Sequence, residues 1–438
     1  MTRFMLLLLW MSQHLSVLQG EIFTSLSQLK GLARLEAALS LSLDNYLKDQ
    51  SQPPEILRNF ADNVRRESEI ARGDIENYIF HPINSFQLVR RFVRHWKELD
   101  SYLSKGTRND LQWEIEVNRP AFPTSKDYMG SISALLRIQN VYNLSANAIA
   151  NGQLHDGNSS GGLGPDECYD LGVVSHGLEN YEDVIDWMRE ALMRMSPPYE
   201  YSGALEKGDV LEYLSWAEYQ VGRLDEAIVH TKEILDKDPK NERAQNNLNH
   251  FEVEQLNLKQ PNTDKVAVNS KKMLNNKMGK KESFMLTYER LCRGESRKAT
   301  DYRTSQSAWL EDSVSPIINR ISQRIQAITE LSVKWPHAEP LQKPDGSLPS
   351  EEIGDRIATV LFYLSNVHAG GSTVFLNMEE FVNPKKGDAV FWYNLDKRGR
   401  PDTKTRHAAC PVIVGSKWVA NKWINERGQE FRRPCPRG

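Results

Sequence analysis

Leucines recur at three- and four-residue steps near the start of the chain: Leu26, Leu29, Leu32, Leu35, Leu39 and Leu43. At about 100° per residue they fall on one stripe of a helix. A second amphipathic stretch runs from Phe86 to Leu103. Residues 21–155 are therefore expected to be helical. A stripe this long serves either as ordinary core packing or as the seam of a coiled coil or dimer. Residues 153–165 then turn to Gly, Asn and Ser and read as a linker.

A weak repeat follows. Glu179-Asn-Tyr-Glu-Asp-Val-Ile and Gly222-Arg-Leu-Asp-Glu-Ala-Ile match at an offset of 43 residues, which aligns Leu171 with Leu214 and Leu192 with Leu235. Each unit reads as helix, turn, helix. The second closes at Asp238-Pro239, before a third helix from about Glu242 to Asn257. This is a tetratricopeptide-like pattern, stretched by an insertion around Pro197-Pro198. Residues 259–285 are polar, with Lys271, Lys272, Lys277, Lys280 and Lys281, and predict a solvated basic linker. From Arg356 the texture changes again. Ile357–Leu364, Ser372–Leu376, Ala389–Tyr393, Ala408–Val414 and Lys417–Ile424 are β-rich runs separated by Gly, Pro and Asn. Short strands with turn signals predict an antiparallel barrel or jelly roll.

Composition adds a compartment. The chain has 438 residues and a net charge of −3, so nothing in the total argues for nucleic acid, and the length suggests roughly two to four domains. Residues 1–20 read as a secretory signal: Arg3, then the apolar run Met5–Trp10, then Gly20 at a cleavage point. No later run is apolar enough to span a membrane. Asn143-Leu-Ser and Asn158-Ser-Ser are glycosylation triplets that fit a lumenal chain. There are four cysteines. Cys410 and Cys435 share one C-terminal block and are the expected pair. Cys168 is expected to be a buried free thiol. The terminal Pro-Cys-Pro-Arg-Gly holds no retention tetrapeptide, so retention in the reticulum requires a partner.

The densest chemistry lies in the last 85 residues. Arg356-Ile-Ala-Thr, Ala369-Gly-Gly-Ser-Thr-Val-Phe, Pro384-Lys-Lys-Gly-Asp-Ala-Val-Phe-Trp-Tyr-Asn, Arg406-His-Ala-Ala-Cys-Pro-Val and Lys417-Trp-Val-Ala-Asn-Lys-Trp follow one another. This succession resembles the C-terminal half of the catalytic domain in the alpha subunits of the collagen prolyl 4-hydroxylase family. Glu21-Ile-Phe-Thr, His81-Pro-Ile-Asn and Ala134-Leu-Leu-Arg-Ile-Gln extend the resemblance over nearly the whole chain. It implies an α+β molecule: a signal at 1–20, a helical dimerisation domain at 21–155, a tetratricopeptide-like peptide-binding domain at 160–258, the linker at 259–285, and a double-stranded β-helix (jelly roll) at 286–438.

That family uses Fe(II), 2-oxoglutarate and O₂, with two His and one carboxylate on the metal. His407 matches the distal His. Lys417 matches the lysine that pairs with the far carboxylate of 2-oxoglutarate, a task suited to a fixed cation in a dry pocket. Trp335-Pro336-His337-Ala338-Glu339 stands where the family has Pro-His-x-Asp, so His337 and Glu339 are the expected remaining ligands. Two stretches of the family pattern are missing, one before Trp335 and one after Cys292-Arg-Gly-Glu. The resemblance thus implies a truncated catalytic domain in which Cys292 has lost its family partner. The residues pose a further geometric requirement. A two-residue hairpin at Gly415-Ser416 would set His407 about seven residues from the position opposite Lys417, roughly 20 Å at ~3.3 Å per residue. A shared site needs a longer connection built from Cys410 to Gly415.

In the helical repeat, Tyr213, Trp216 and Tyr219 share one helix face and match the family's tyrosines for proline-rich peptides. Stiff polyproline II ligands stack well on such rings. The resemblance further implies ascorbate, protein disulfide isomerase as beta subunit, self-association through the N-terminal helices, procollagen-like peptides as substrate, and the endoplasmic reticulum lumen. The alternative is a peptide-binding, dimerising subunit without a complete iron site.

Overall fold

Ser25 caps the first helix by accepting a hydrogen bond from the Gln28 amide at 3.4 Å. The computed structural model describes residues 25–105, 109–155, 158–196, 204–258, 281–296, 356–396 and 399–425. His337, Glu339 and Cys435 lie outside them. The chain divides into two units: residues up to Ile79 with Asn84–Ser131, and Phe80–Ile83 with all that follows Ile132.

The first unit is helical: α1 (Leu26–Lys48), α2 (Glu55–Gly73), α3 (Ile75–Phe80), α4 (Pro82–Arg91), a π-turn (Phe92–Trp96), α5 (Lys97–Leu103), α6 (Asp110–Asn118) and the start of α7 (Ser125–Tyr142). Leu29, Leu32, Leu39 and Leu43 are buried, as the stripe requires. The same stripe carries Glu36, also buried. Arg91 donates to both its carboxylate oxygens, at 2.8 and 2.7 Å, and Trp96 Nε1 donates at 3.2 Å. The ion pair is thus bidentate and satisfied, the condition for a charge to be tolerated inside.

The second unit continues with α8 (Ala146–Ala150) and a short hairpin, β1 (Gln153–His155) and β2 (Asn158–Ser159), inside the expected linker. Next come α9 (Pro165–Gly177), α10 (Tyr181–Arg194), α11 (Lys207–Gln220), α12 (Leu224–Lys237) and α13 (Glu242–Leu258). The 43-residue offset is visible in the backbone. Glu179 and Gly222 hold the same place after their helices, with φ of 58° and 84°. The Asn180 amide reaches Ser175 O at 3.1 Å and the Arg223 amide reaches Glu218 O at 2.8 Å, so the same left-handed turn ends both first helices.

Helix α14 (Lys281–Cys292) precedes the strands. These are β3 (Arg356–Tyr363), β4 (Val367–Gly370), β5 (Thr373–Phe375), β6 (Glu380–Val382), β7 (Ala389–Tyr393), β8 (His407–Ala409), β9 (Val412–Gly415) and β10 (Val419–Asn425). They pair antiparallel in the orders β10-β3-β7, β4-β9 and β6-β5-β8. The expected strand Ala408–Val414 is broken at Cys410-Pro411, where proline offers no amide to a ladder. Its halves join different sheets. No hairpin joins β9 to β10: β9 pairs with β4 and β10 with β3, which supplies the longer connection a shared site needs.

The cysteine pairing differs from expectation. Cys410 is bonded to Cys292, 118 residues earlier, and not to Cys435. The reason is packing. Tyr288 and Leu291 of α14 and Val141 of α7 bury against Val374 and Leu376, which delivers the end of α14 to the turn after β8. Cys292 therefore keeps a partner. Cys168 is a buried free thiol, and burial pushes its pKa well up.

Candidate active site

A strand presents alternate residues to one face. Thr359 and Leu361 of β3 sit opposite Trp423 and Asn421 of β10, and Trp392 of β7 sits opposite Thr359. These side chains, with Thr373 of β5 and His407 of β8, line a cavity of about 680 Å³ between the two three-stranded sheets. That volume suits a small ligand with room for more. Arg356 lies over the Trp423 ring at 4.6 Å on the same wall.

Lys417 enters this cavity because Gly415, at φ 99°, turns the chain out of β9 two residues earlier. Its Nζ donates to Thr373 Oγ1 at 3.2 Å and stands 5.6 Å from the centre of the Tyr363 ring. Tyr363 donates its hydroxyl to the same Thr373 oxygen at 2.8 Å. With both lone pairs taken, the threonine keeps one O–H to give. An ammonium and a hydroxyl donor thus sit side by side, a good receptor for a carboxylate. Burial lowers the Lys417 pKa to about 8. Thr373 and Tyr363 were not singled out from sequence. Thr373 stands inside the quoted Ser-Thr-Val-Phe run, yet nothing local marks it as the partner of a lysine 44 residues on.

His407 opens β8 and is exposed toward the cavity. Its Nδ1 lies 2.8 Å from Thr405 O. A carbonyl only accepts, so Nδ1 carries the proton and Nε2 of the neutral ring keeps its lone pair. The ring packs against Trp392 at 4.6 Å and Phe375 at 5.8 Å, two rings that also meet each other at 5.6 Å. A histidine with a carbonyl fixing one nitrogen and the other free has the donor chemistry of a metal ligand. Among the described residues, no three His, Cys, Asp or Glu side chains converge as a metal site. The expected ligands His337 and Glu339 are not among those residues.

The three helical-repeat aromatics occupy two settings. Tyr213 meets Tyr169 at 5.7 Å and His176 at 5.2 Å, both edge to face. Trp216 and Tyr219 turn instead to α13, where Tyr219 stacks on Phe251 at 4.7 Å and donates its hydroxyl to Glu254 at 2.7 Å. Asn143, just past α7, is exposed at φ 53°, and Asn158 lies on β2.

Three family profiles match the chain in succession: the prolyl 4-hydroxylase alpha-subunit N-terminal region at residues 25–156, the prolyl 4-hydroxylase peptide-substrate-binding domain at 165–256, and the 2OG-Fe(II) oxygenase superfamily at 336–425. Human prolyl 4-hydroxylase subunit alpha-1 is 33% identical, covering 94% of this chain and 95% of its own length. The chicken alpha-2 subunit is 30% identical, covering 96% of each. The Caenorhabditis elegans alpha-1 subunit is 28% identical over 95% of this chain. The human alignment runs over 511 positions against a chain of 438, so that relative carries stretches this chain lacks. A cavity lined by His407 and the half-buried Lys417, a helical repeat before it and 33% identity over nearly the full length of the human subunit place the chain in the prolyl 4-hydroxylase alpha-subunit family.

Proposed function

We propose that the chain is a procollagen-proline 4-dioxygenase alpha subunit. It would hydroxylate proline in Xaa-Pro-Gly repeats with Fe(II), 2-oxoglutarate and O₂. The observation that carries this reading is the shared cavity of Lys417, Thr373 and His407. Lys417 and the Thr373 hydroxyl take the far carboxylate of 2-oxoglutarate. Trp392 and Phe375 fix the His407 ring, and Thr405 fixes its tautomer. His407, with His337 and Glu339, holds the iron. When bound, that metal supplies the activation of O₂ that couples 2-oxoglutarate decarboxylation to hydroxylation. Tyr213, Trp216 and Tyr219 hold the proline-rich chain in the helical repeat. Ascorbate, a protein disulfide isomerase partner, self-association through the N-terminal helices and the endoplasmic reticulum lumen complete the reading.

The test is release of CO₂ from 2-oxoglutarate by the full chain, co-expressed with protein disulfide isomerase, with and without a (Pro-Pro-Gly)n peptide. Peptide-stimulated release with 4-hydroxyproline formation is expected. Peptide binding with no release would instead assign the chain the role of a non-catalytic, peptide-holding subunit.

A further inference from the structure

Strand β8 is a weak platform for His407. It has three residues and, among the described residues, pairs only with β5 at the edge of its sheet. The structure shows how it is held from behind. The Tyr288 hydroxyl of α14 donates to Ala409 O at 2.9 Å. The Tyr142 hydroxyl of α7 donates to Pro411 O at 2.6 Å. The Cys292–Cys410 disulfide lies between these two points. Arg137 of α7 donates to the Tyr288 oxygen at 3.1 Å, so the tyrosine's own proton is left for Ala409. Arg293 donates to Val141 O at 3.0 Å and binds the two helices to each other.

The same fixture reaches Lys417. Pro411 O also accepts from the Gly371 amide at 2.8 Å. Gly370 has φ 76°, and a Cβ there would lie 2.6 Å from both Pro411 O and the Tyr142 hydroxyl, so no side chain fits. A Cβ on Gly371 would lie 3.6 Å from Lys417 Cδ, so the double-glycine turn abuts the lysine stem. Displacing Pro411 therefore disturbs both ends of the cavity. Burial raises the Tyr142 pKa to about 12, which keeps its hydroxyl a donor at any working pH.

We propose that Tyr142 and Tyr288 are positioning residues: with the Cys292–Cys410 bond they clamp the 407–411 segment and set His407 and Lys417 for cosubstrate. Neither touches the cavity. The inference rests on the reading of that cavity as the 2-oxoglutarate site.

The experiment compares the full chain with Tyr142→Phe, Tyr288→Phe and the double variant. Two readouts are taken: 2-oxoglutarate affinity by calorimetry in the presence of Mn(II), and amide hydrogen exchange of the metal-free protein. Each single variant is expected to weaken 2-oxoglutarate about fivefold, the effect of one lost hydrogen bond. Faster exchange is expected across residues 405–415, with residues 181–194 unchanged. Affinities within twofold of the unsubstituted chain and unchanged exchange at 405–415 would overturn the clamp. Exchange that quickens equally at 181–194 would also overturn it, as general loosening. If the unsubstituted chain binds no 2-oxoglutarate, the site reading itself falls and the inference goes with it.

Discussion

Lys417 holds its ammonium in a setting that costs it protons. Burial brings its pKa from 10.5 to about 8. Between those values the unfolded chain binds the proton and the folded chain does not, so stability rises with pH across that window. Affinity moves the other way. Above pH 8 the free protein loses the cation that a carboxylate needs, so kcat/KM for 2-oxoglutarate should fall about tenfold per pH unit, while Lys417→Arg, which stays charged, should abolish that fall. A pH profile from 7 to 9.5 checks both. His407 and Lys417 were legible as candidates because their surrounding words are specific. The two groups that complete the lysine's setting were not. Tyr363 and Thr373 matter through a hydrogen bond that the register of β3 and β5 creates, and an isolated Tyr or Thr in a strand gives no sign of it.

Among the elements, the repeat was legible to the residue. Its offset of 43 residues places Glu179 where the second copy has Gly222, and both adopt positive φ. A glutamate pays there for a conformation that glycine takes freely. Glu179→Gly should therefore stabilise the protein, by up to about 1 kcal/mol, read as a rise in the denaturant midpoint. Helix α1 teaches the opposite lesson. The leucine stripe announced its buried face, yet periodicity counts apolar residues and passed over Glu36 on that face. Arg91→Ala would strand this carboxylate, whose side chain is 3% exposed, and should cost about 3–5 kcal/mol. Replacing both partners, Glu36→Leu with Arg91→Met, should cost much less. Chemical denaturation of the two variants distinguishes these outcomes. The broken strand at Cys410-Pro411 escaped the pattern because Ala408-Ala409 and Val412–Val414 are both apolar runs, and the sheet each joins is set by its partner strand.

For the whole molecule, the disulfide is the feature that sequence distance misrepresents. Cys410 has Cys435 nearby in the chain, but α14 packs on the strands and brings Cys292 instead. Proximity along a chain is a poor guide once a helix intervenes. A loop of 118 residues is long. Its closure should contribute about 5 kcal/mol by restricting the unfolded chain. Cys292→Ser with Cys410→Ser should lower the denaturant midpoint accordingly, whereas Cys168→Ser, at a thiol outside any disulfide, should shift it far less.

The same covalent bond has a consequence for any cut in the chain. Residues 293–409 form a ring, and His337 and Glu339 lie on it. One peptide bond broken anywhere in that ring leaves the N-terminal helices and the C-terminal strands still joined through sulfur. A singly nicked protein would therefore migrate as one species without reductant and separate into two fragments once reduced.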